Sequence, residues 1–149
     1  MKLYLAGPMS AIPSFNFPAF DSYAKRLAGF GRGHEVVSPA EIDSPEMRAA
    51  CLASEHGDLA DLPPGESYGA LLGRDIEIVI DDVDGVFALQ DWEKSRGARI
   101  EVFTAVQMGK PVYSAEKWEE APSRVRPETR EYLDEYCALT DEELSAGLG

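Results

Sequence analysis

A chain of 149 residues, 44% of them hydrophobic, can bury one substantial core, which excludes wholesale disorder and leaves no room for two ordinary domains. Its formal charge of −13 at pH 7 excludes a general binder of the DNA or RNA backbone, which needs a net basic face to displace counterions. The same charge still admits a small anion held by backbone N–H groups at a helix start.

The first expected element is a buried strand, Leu3-Tyr4-Leu5-Ala6, closed by Gly7-Pro8. Phe20, Tyr23, Ala24, Leu27 and Ala28 recur at helical spacing, so a helix is expected over Phe17 to Phe30, stopped by Gly29, Gly31 and Gly33. Glu35-Val36-Val37-Ser38-Pro39 reads as a second strand cut by its proline. Glu41 to Tyr68 is irregular and rich in Pro and Gly, and reads as a helix near Glu46–Ser54 followed by a mobile polar loop. A helix is expected from Tyr68 to Val79, with Leu71, Leu72, Ile76 and Val79 on one side. Asp81, Asp82 and Asp84 form an acidic turn before a third strand, Asp84 to Leu89. An amphipathic helix over Gly97 to Met108 ends at Gly109, and Pro111-Val112-Tyr113 is a fourth strand.

This alternation predicts an α/β fold, a three-layer doubly wound parallel sheet of flavodoxin or Rossmann type with helices on both faces. Residues 1–113 make the α/β domain. Residues 114–149 read as its helical, acidic extension, which ends in Asp141-Glu142-Glu143 and either packs on the domain, reaches a partner or frays. No window approaches the roughly 18 apolar residues of a membrane span. Met1-Lys2 leads into a short apolar run rather than a signal peptide, so a cytosolic protein with no membrane partner is expected. Cys51, Cys137, His34 and His56 match no metal or redox spacing.

In such sheets ligands sit at the carboxyl ends of the strands, which singles out the loops Gly7–Ser14 and Gln90–Gly97. In the second, Ser95 is a natural N-cap and Gly97 permits close approach of a ligand to the backbone. Glu101 then lies about a turn inside the helix, where it can face the crevice. An exposed helical glutamate is the ordinary alternative, but Ile100, Val102 and Ala105 put Glu101 beside an apolar stripe. Asp75, between Leu72 and Ile76, is the second carboxyl that a separate element can bring to the same place, and glycosidic cleavage normally takes two. Tyr4, if buried, needs a polar partner for its hydroxyl, and a carboxylate at the strand ends would serve. Gly7-Pro8-Met9-Ser10 matches neither a P-loop nor the dinucleotide fingerprint. Asn16 and Phe17 are explained equally by a cap and staple or by a ligand, and Trp92 either stacks on a base or lids the crevice.

Taken together, Leu3-Tyr4-Leu5-Ala6-Gly7-Pro8-Met9, His34-Glu35-Val36-Val37-Ser38-Pro39-Ala40-Glu41, Arg74-Asp75-Ile76 with Asp84-Gly85-Val86, and Ser95-Arg96-Gly97-Ala98-Arg99-Ile100-Glu101 with Gly109-Lys110-Pro111-Val112 resemble the nucleoside 2-deoxyribosyltransferase superfamily. The resemblance spans residues 1 to 113. It implies a retaining double displacement in which Glu101 attacks C1′ of the sugar, Asp75 protonates the departing base and Tyr4 orients Glu101. The transferases carry Asp six residues before the nucleophile; Ser95 stands there, as in the related 2′-deoxynucleoside 5′-phosphate N-hydrolases. Replacing that carboxylate by a hydroxyl suits a phosphate, with Ser10 and Arg96 adding to its cradle. The arginine that the hydrolases place in the first loop has no counterpart here. Trp92 with Glu93-Lys94-Ser95 also resembles a compact, phage- and bacteria-associated branch of deoxyribosyltransferase-like proteins.

The expected substrate is a nucleoside 5′-monophosphate or nucleoside, with no metal or cofactor required and a homo-oligomer implied by the resemblance. Around it are expected Gly7, Pro8, Met9, Ser10, Asn16 and Phe17, then Trp92, Ser95, Arg96, Gly97 and Ala98. Two readings of other classes compete. A catalytically silent nucleotide-binding module would bind in the same crevice, and an unrelated interaction domain would hold Glu101 and Asp75 far apart.

Overall fold

The computed structural model describes residues 1–29, 34–65, 67–137 and 142, and its sheet has four parallel strands. These are β1 (Lys2–Ala6), β2 (Glu35–Val37), β3 (Gly85–Ala88) and β4 (Val112–Ser114), in the order β2-β1-β3-β4. The helices are α1 (Phe17–Gly29), α2 (Pro39–Ile42), α3 (Pro45–Ala53), α4 (Tyr68–Asp81), α5 (Arg96–Gln107), α6 (Ala115–Glu120) and α7 (Arg130–Cys137). None of them is long and apolar enough to cross a membrane.

The two-residue period of the strands sorts their side chains into two cores. Leu5 and Phe87, which pair across β1 and β3, pack with Phe17 and Phe20 of α1, Met47 and Cys51 of α3 and Trp118 of α6. Their neighbours Tyr4, Ala6, Val86 and Ala88 face the other way, onto Val79 of α4, Val102 of α5 and Leu133 of α7. The result is the expected three-layer parallel α/β architecture. Strand order runs outward from β1 in both directions, so the carboxyl ends of β1 and β3 open a crevice at the switch point.

The strands and long helices fall within a few residues of their expected bounds. Two segments differ. Pro39 does not end a strand but opens α2, where its fixed φ and missing N–H suit the first helical turn. The expected mobile loop after α3 is a braced 3-10 turn, Leu59–Asp61. The Ser54 hydroxyl donates to Asp61 and accepts from the amides of Gly57 and Asp58, while the Ala11 amide donates to the Gly57 carbonyl. Gly57 has φ +67° and a Cβ there would collide with the Ile12 carbonyl, so the brace admits no side chain. The extension packs on the domain: Leu133 is buried and Tyr136 meets the Trp92 ring edge-on at 6.0 Å between centroids. Phe30, Gly31, Gly33, Asp141 and Glu143 lie outside the described residues.

One cation ties α4 to the last crossover. The Lys110 ammonium donates to the carbonyls of Val79, Ile80 and Val83 at 2.8, 2.6 and 2.7 Å, satisfying the end of α4 where the helix dipole favours positive charge. Lys110→Met is expected to lower the unfolding free energy by about 1–3 kcal/mol, read as a lower urea midpoint at unchanged m-value.

Candidate active site

A cleft with about 700 Å³ of empty space, mouth included, opens at the switch point. The loop after β1 supplies Gly7, Met9 and Ser10, the start of α5 supplies Gly97 and Ala98, and Pro39 enters from the end of β2. Phe15, Phe17, Met47, Cys51, Leu59, Leu62, Leu71 and Leu72 form the apolar wall, and the ionisable lining groups are Asp43, Cys51, Tyr68, Arg74, Asp75 and Glu101.

Glu101 is 7% exposed and Asp75 8%, although each stands on an amphipathic helix whose outer face is wet. Tyr4 explains how they meet. It is fully buried on β1 and its hydroxyl donates to Glu101 Oε1 at 2.9 Å, while Asp75 bears on the same hydroxyl. Burial, then the charges of Glu101 and Asp75, push the Tyr4 phenol well above its usual range, so it remains a donor. Burial likewise holds Glu101 well above the ordinary carboxylate range; the neighbouring Asp75 adds to this and the Tyr4 hydrogen bond pulls the other way. Asp75 is also raised by burial, against the opposing pull of Arg74. Two carboxyl groups in one desolvated cleft cannot both ionise cheaply, so the pair keeps one proton to higher pH than either would alone.

The first loop bends sharply to reach this place. Ala11, Ser14, Phe15 and Asn16 all have φ between 51° and 62°, a left-handed run that costs on the order of 1 kcal/mol or more per non-glycine residue. Hydrogen bonds hold it: the Asn16 side-chain amide donates to the Pro8 carbonyl, the Ser14 amide to Ser54 and the Ser14 hydroxyl to Leu52. The bend turns Phe15 into the cleft wall.

Of the residues expected around a substrate, Gly7, Met9, Ser10, Phe17, Gly97 and Ala98 line the cleft with Glu101 and Asp75. Five do not. Pro8 and Asn16 brace the loop from behind. Trp92 is 3% exposed against Tyr136, so it is core beneath α7 and neither stacks in the cleft nor lids it. Ser95 caps α5, its hydroxyl accepting from the Ala98 amide at 3.3 Å. Arg96 lines a separate groove with Arg99, Ile100, Phe103 and Cys137. A phosphate cradle built from Ser95 and Arg96 side chains is therefore not assembled. What α5 presents to the cleft is its first turn at Gly97 and Ala98.

Several lining residues had no signal in the sequence. Asp43, Cys51, Leu59 and Leu62 fall in the irregular segment, where no periodicity assigns a face. Burial pushes the Cys51 thiol up to about 11, which makes it a poor nucleophile. Tyr68 starts α4 and carries its hydroxyl over Gly97, where a Cβ would come within 2.9 Å of that oxygen. Gly97→Ala should therefore displace Tyr68 from the cleft mouth. Helix propensity favours alanine by about 1 kcal/mol, so Tm should hold or rise while the KM of the reaction proposed below rises. Tm and KM measured on the one variant check both halves.

Among the described residues no group of three or more His, Cys, Asp or Glu side chains is placed to hold a metal ion. Fold and cleft together define an α/β protein with a cleft at the switch point, lined by two buried carboxyl groups. The family described as a domain of unknown function, DUF4406, matches residues 1–114, and the chain belongs to that family. No curated protein and no solved structure matches the chain.

Proposed function

We propose that the protein cleaves the N-glycosidic bond of a nucleoside 5′-monophosphate or nucleoside, ribo- or deoxyribo-, and releases the free base. The supporting observation is that Glu101 and Asp75, from two different helices, line one cleft, both buried, with the Tyr4 hydroxyl donating to Glu101. An interaction domain unrelated to this chemistry has no reason to bury two carboxyl groups together.

In the first step the Glu101 carboxylate attacks C1′ and the C1′–N bond breaks. The bonding electrons leave with the base, which takes the proton of Asp75. Positive charge developing at C1′ favours the negative charge on Glu101, so the shared proton resides on Asp75 as the bond breaks. In the second step water attacks C1′ of the glycosyl ester, Asp75 takes its proton, and the free sugar and the Glu101 carboxylate are restored. A second base in place of water gives exchange rather than hydrolysis.

Gly97 at the start of α5 and Ser10 of the first loop, both on the cleft, favour a 5′-phosphate. One observation favours an unphosphorylated nucleoside and the exchange reaction instead. Among the described lining residues Arg74 is the single cation, and it is ion-paired to two carboxylates. Incubation with deoxy- and ribonucleosides and their 5′-monophosphates, with and without an acceptor base, separates the readings by which free base or new nucleoside forms. A catalytically silent binding module would show ligand-dependent thermal stabilisation and no base under any condition.

The pH dependence of base release follows from the carboxyl pair. The acid limb reports loss of the first proton and the basic limb loss of the second, and burial raises both. The active window is expected above the ordinary carboxylate range, and a kcat/KM profile with its acid limb at the usual position for glutamate would contradict the shared-proton account.

A further inference from the structure

Asp43 lies one residue beyond α2, at the carboxyl side of β2, with its side chain only 10% exposed. It faces Arg74 of α4. The guanidinium Nη1 donates to Asp43 Oδ1 at 2.7 Å, while Nε and Nη2 both donate to Asp75 Oδ1, at 2.9 and 2.8 Å. One cation is thus split between two carboxylates from different elements, and both of its bonds to Asp75 fall on a single oxygen.

That division has a chemical consequence for the neighbour. A guanidinium paired with Asp75 alone would favour the ionised carboxylate, which is the wrong state for a group that must give up a proton. The other groups bearing on Asp75 are Tyr4 from β1, Glu101 from α5 and Tyr68 from its own helix, and none is a cation. Asp43 is therefore placed to offset Arg74 from the far side without touching the cleft's reacting centre.

We propose that Asp43 is a positioning residue: by sharing Arg74 it leaves Asp75 one oxygen clear of the guanidinium, and a proton, for the departing base. The role of Asp75 rests on the reaction proposed above; the clamp itself does not. A contact that merely joined the two elements would leave the titration of Asp75 where it is.

The test is carbon-13 NMR of the full chain with carboxyl-labelled aspartate, Asp75 being assigned by the signal lost in Asp75→Asn. Asp43→Asn keeps the size and an acceptor for Nη1 but removes the charge. The Asp75 midpoint is expected to move down by about one pH unit. The basic limb of base release should move with it, so that kcat on that limb falls about tenfold at near-constant KM. Asp43→Ser carries the same expectation if the asparagine variant fails to fold, and Asp43→Glu should restore most of the wild-type midpoint. An Asp75 midpoint that stays put or rises in the uncharged variants overturns the clamp, whether or not the protein releases base. A downward shift in a protein that releases no base supports the clamp and counts against the proposed reaction.

Discussion

Glu101→Gln is expected to give a folded protein that has lost base release by at least about a thousandfold and that melts at a higher temperature than the wild type at neutral pH. The loss follows from chemistry: an amide oxygen can accept the Tyr4 hydrogen bond but cannot form the glycosyl ester. The gain follows from linkage. Burial raises the folded-state pKa of Glu101 above its unfolded value, so the folded chain binds the proton more tightly than the unfolded one. Below the unfolded pKa both states are protonated and nothing is lost. As pH climbs from the unfolded value towards the folded one, the unfolded state ionises freely and the native state loses stability. Glutamine removes that loss, so the variant and wild type should melt together at acid pH and diverge towards neutral. The expected gain there is about 0.5–2 kcal/mol, a few degrees in Tm. Thermal scans across pH, alongside a base-release assay, check both halves. Equal melting at every pH would mean that Glu101 is not held in a desolvated site.

Asp75→Asn is expected to slow base release by about 10²–10⁴, the usual worth of a positioned acid. The loss should depend on the leaving group. Bases that depart readily as anions need little protonation and should lose least; poor leaving groups should lose most. Plotting log kcat against the basicity of the departing base should give a steeper dependence in the variant than in the wild type. Asparagine still accepts from Arg74, which also keeps Asp43, so the cleft wall should survive. The basic limb of the pH profile should disappear, because asparagine has no carboxyl proton to lose, while the acid limb, at which Glu101 ionises beside a protonated Asp75, should stay near its wild-type place. A uniform loss over all leaving groups would reduce Asp75 to a structural partner of Arg74.

How much of this was legible beforehand depends on whether a residue's surroundings were local in sequence. The strands and the helices α1, α4 and α5 announced themselves through a single repeating period, and strand–helix alternation then dictated the parallel sheet. Glu101 and Asp75 were legible as carboxyl groups that two separate elements could bring to one crevice and Tyr4 as a buried hydroxyl in need of a carboxylate, and the family resemblance joined the three. The wall from Asp43 to Leu62 was not. Its apolar residues have no period, and its turns are fixed by contacts with the first loop, such as Ala11 to Gly57, that no local pattern encodes. Trp92 failed for a similar reason: an aromatic residue in a polar loop reads as exposed until α7, some forty residues later, covers it. Ser95 is the cap that its place before α5 predicts, and that bond directs its hydroxyl to Ala98 of its own helix.

The proposed reaction passes through a covalent bond between sugar and protein. Mass spectrometry of the intact chain and its peptides, after incubation with a nucleoside or nucleotide whose sugar carries a 2′-fluorine to slow the second step, reads that bond directly. The expected result is a mass increase of one sugar residue on the peptide containing Glu101, with free base released in equal amount and no adduct in Glu101→Gln. Base released without any adduct, an adduct on another residue, or neither base nor adduct from any substrate that stabilises the fold would contradict the assignment of Glu101 as nucleophile.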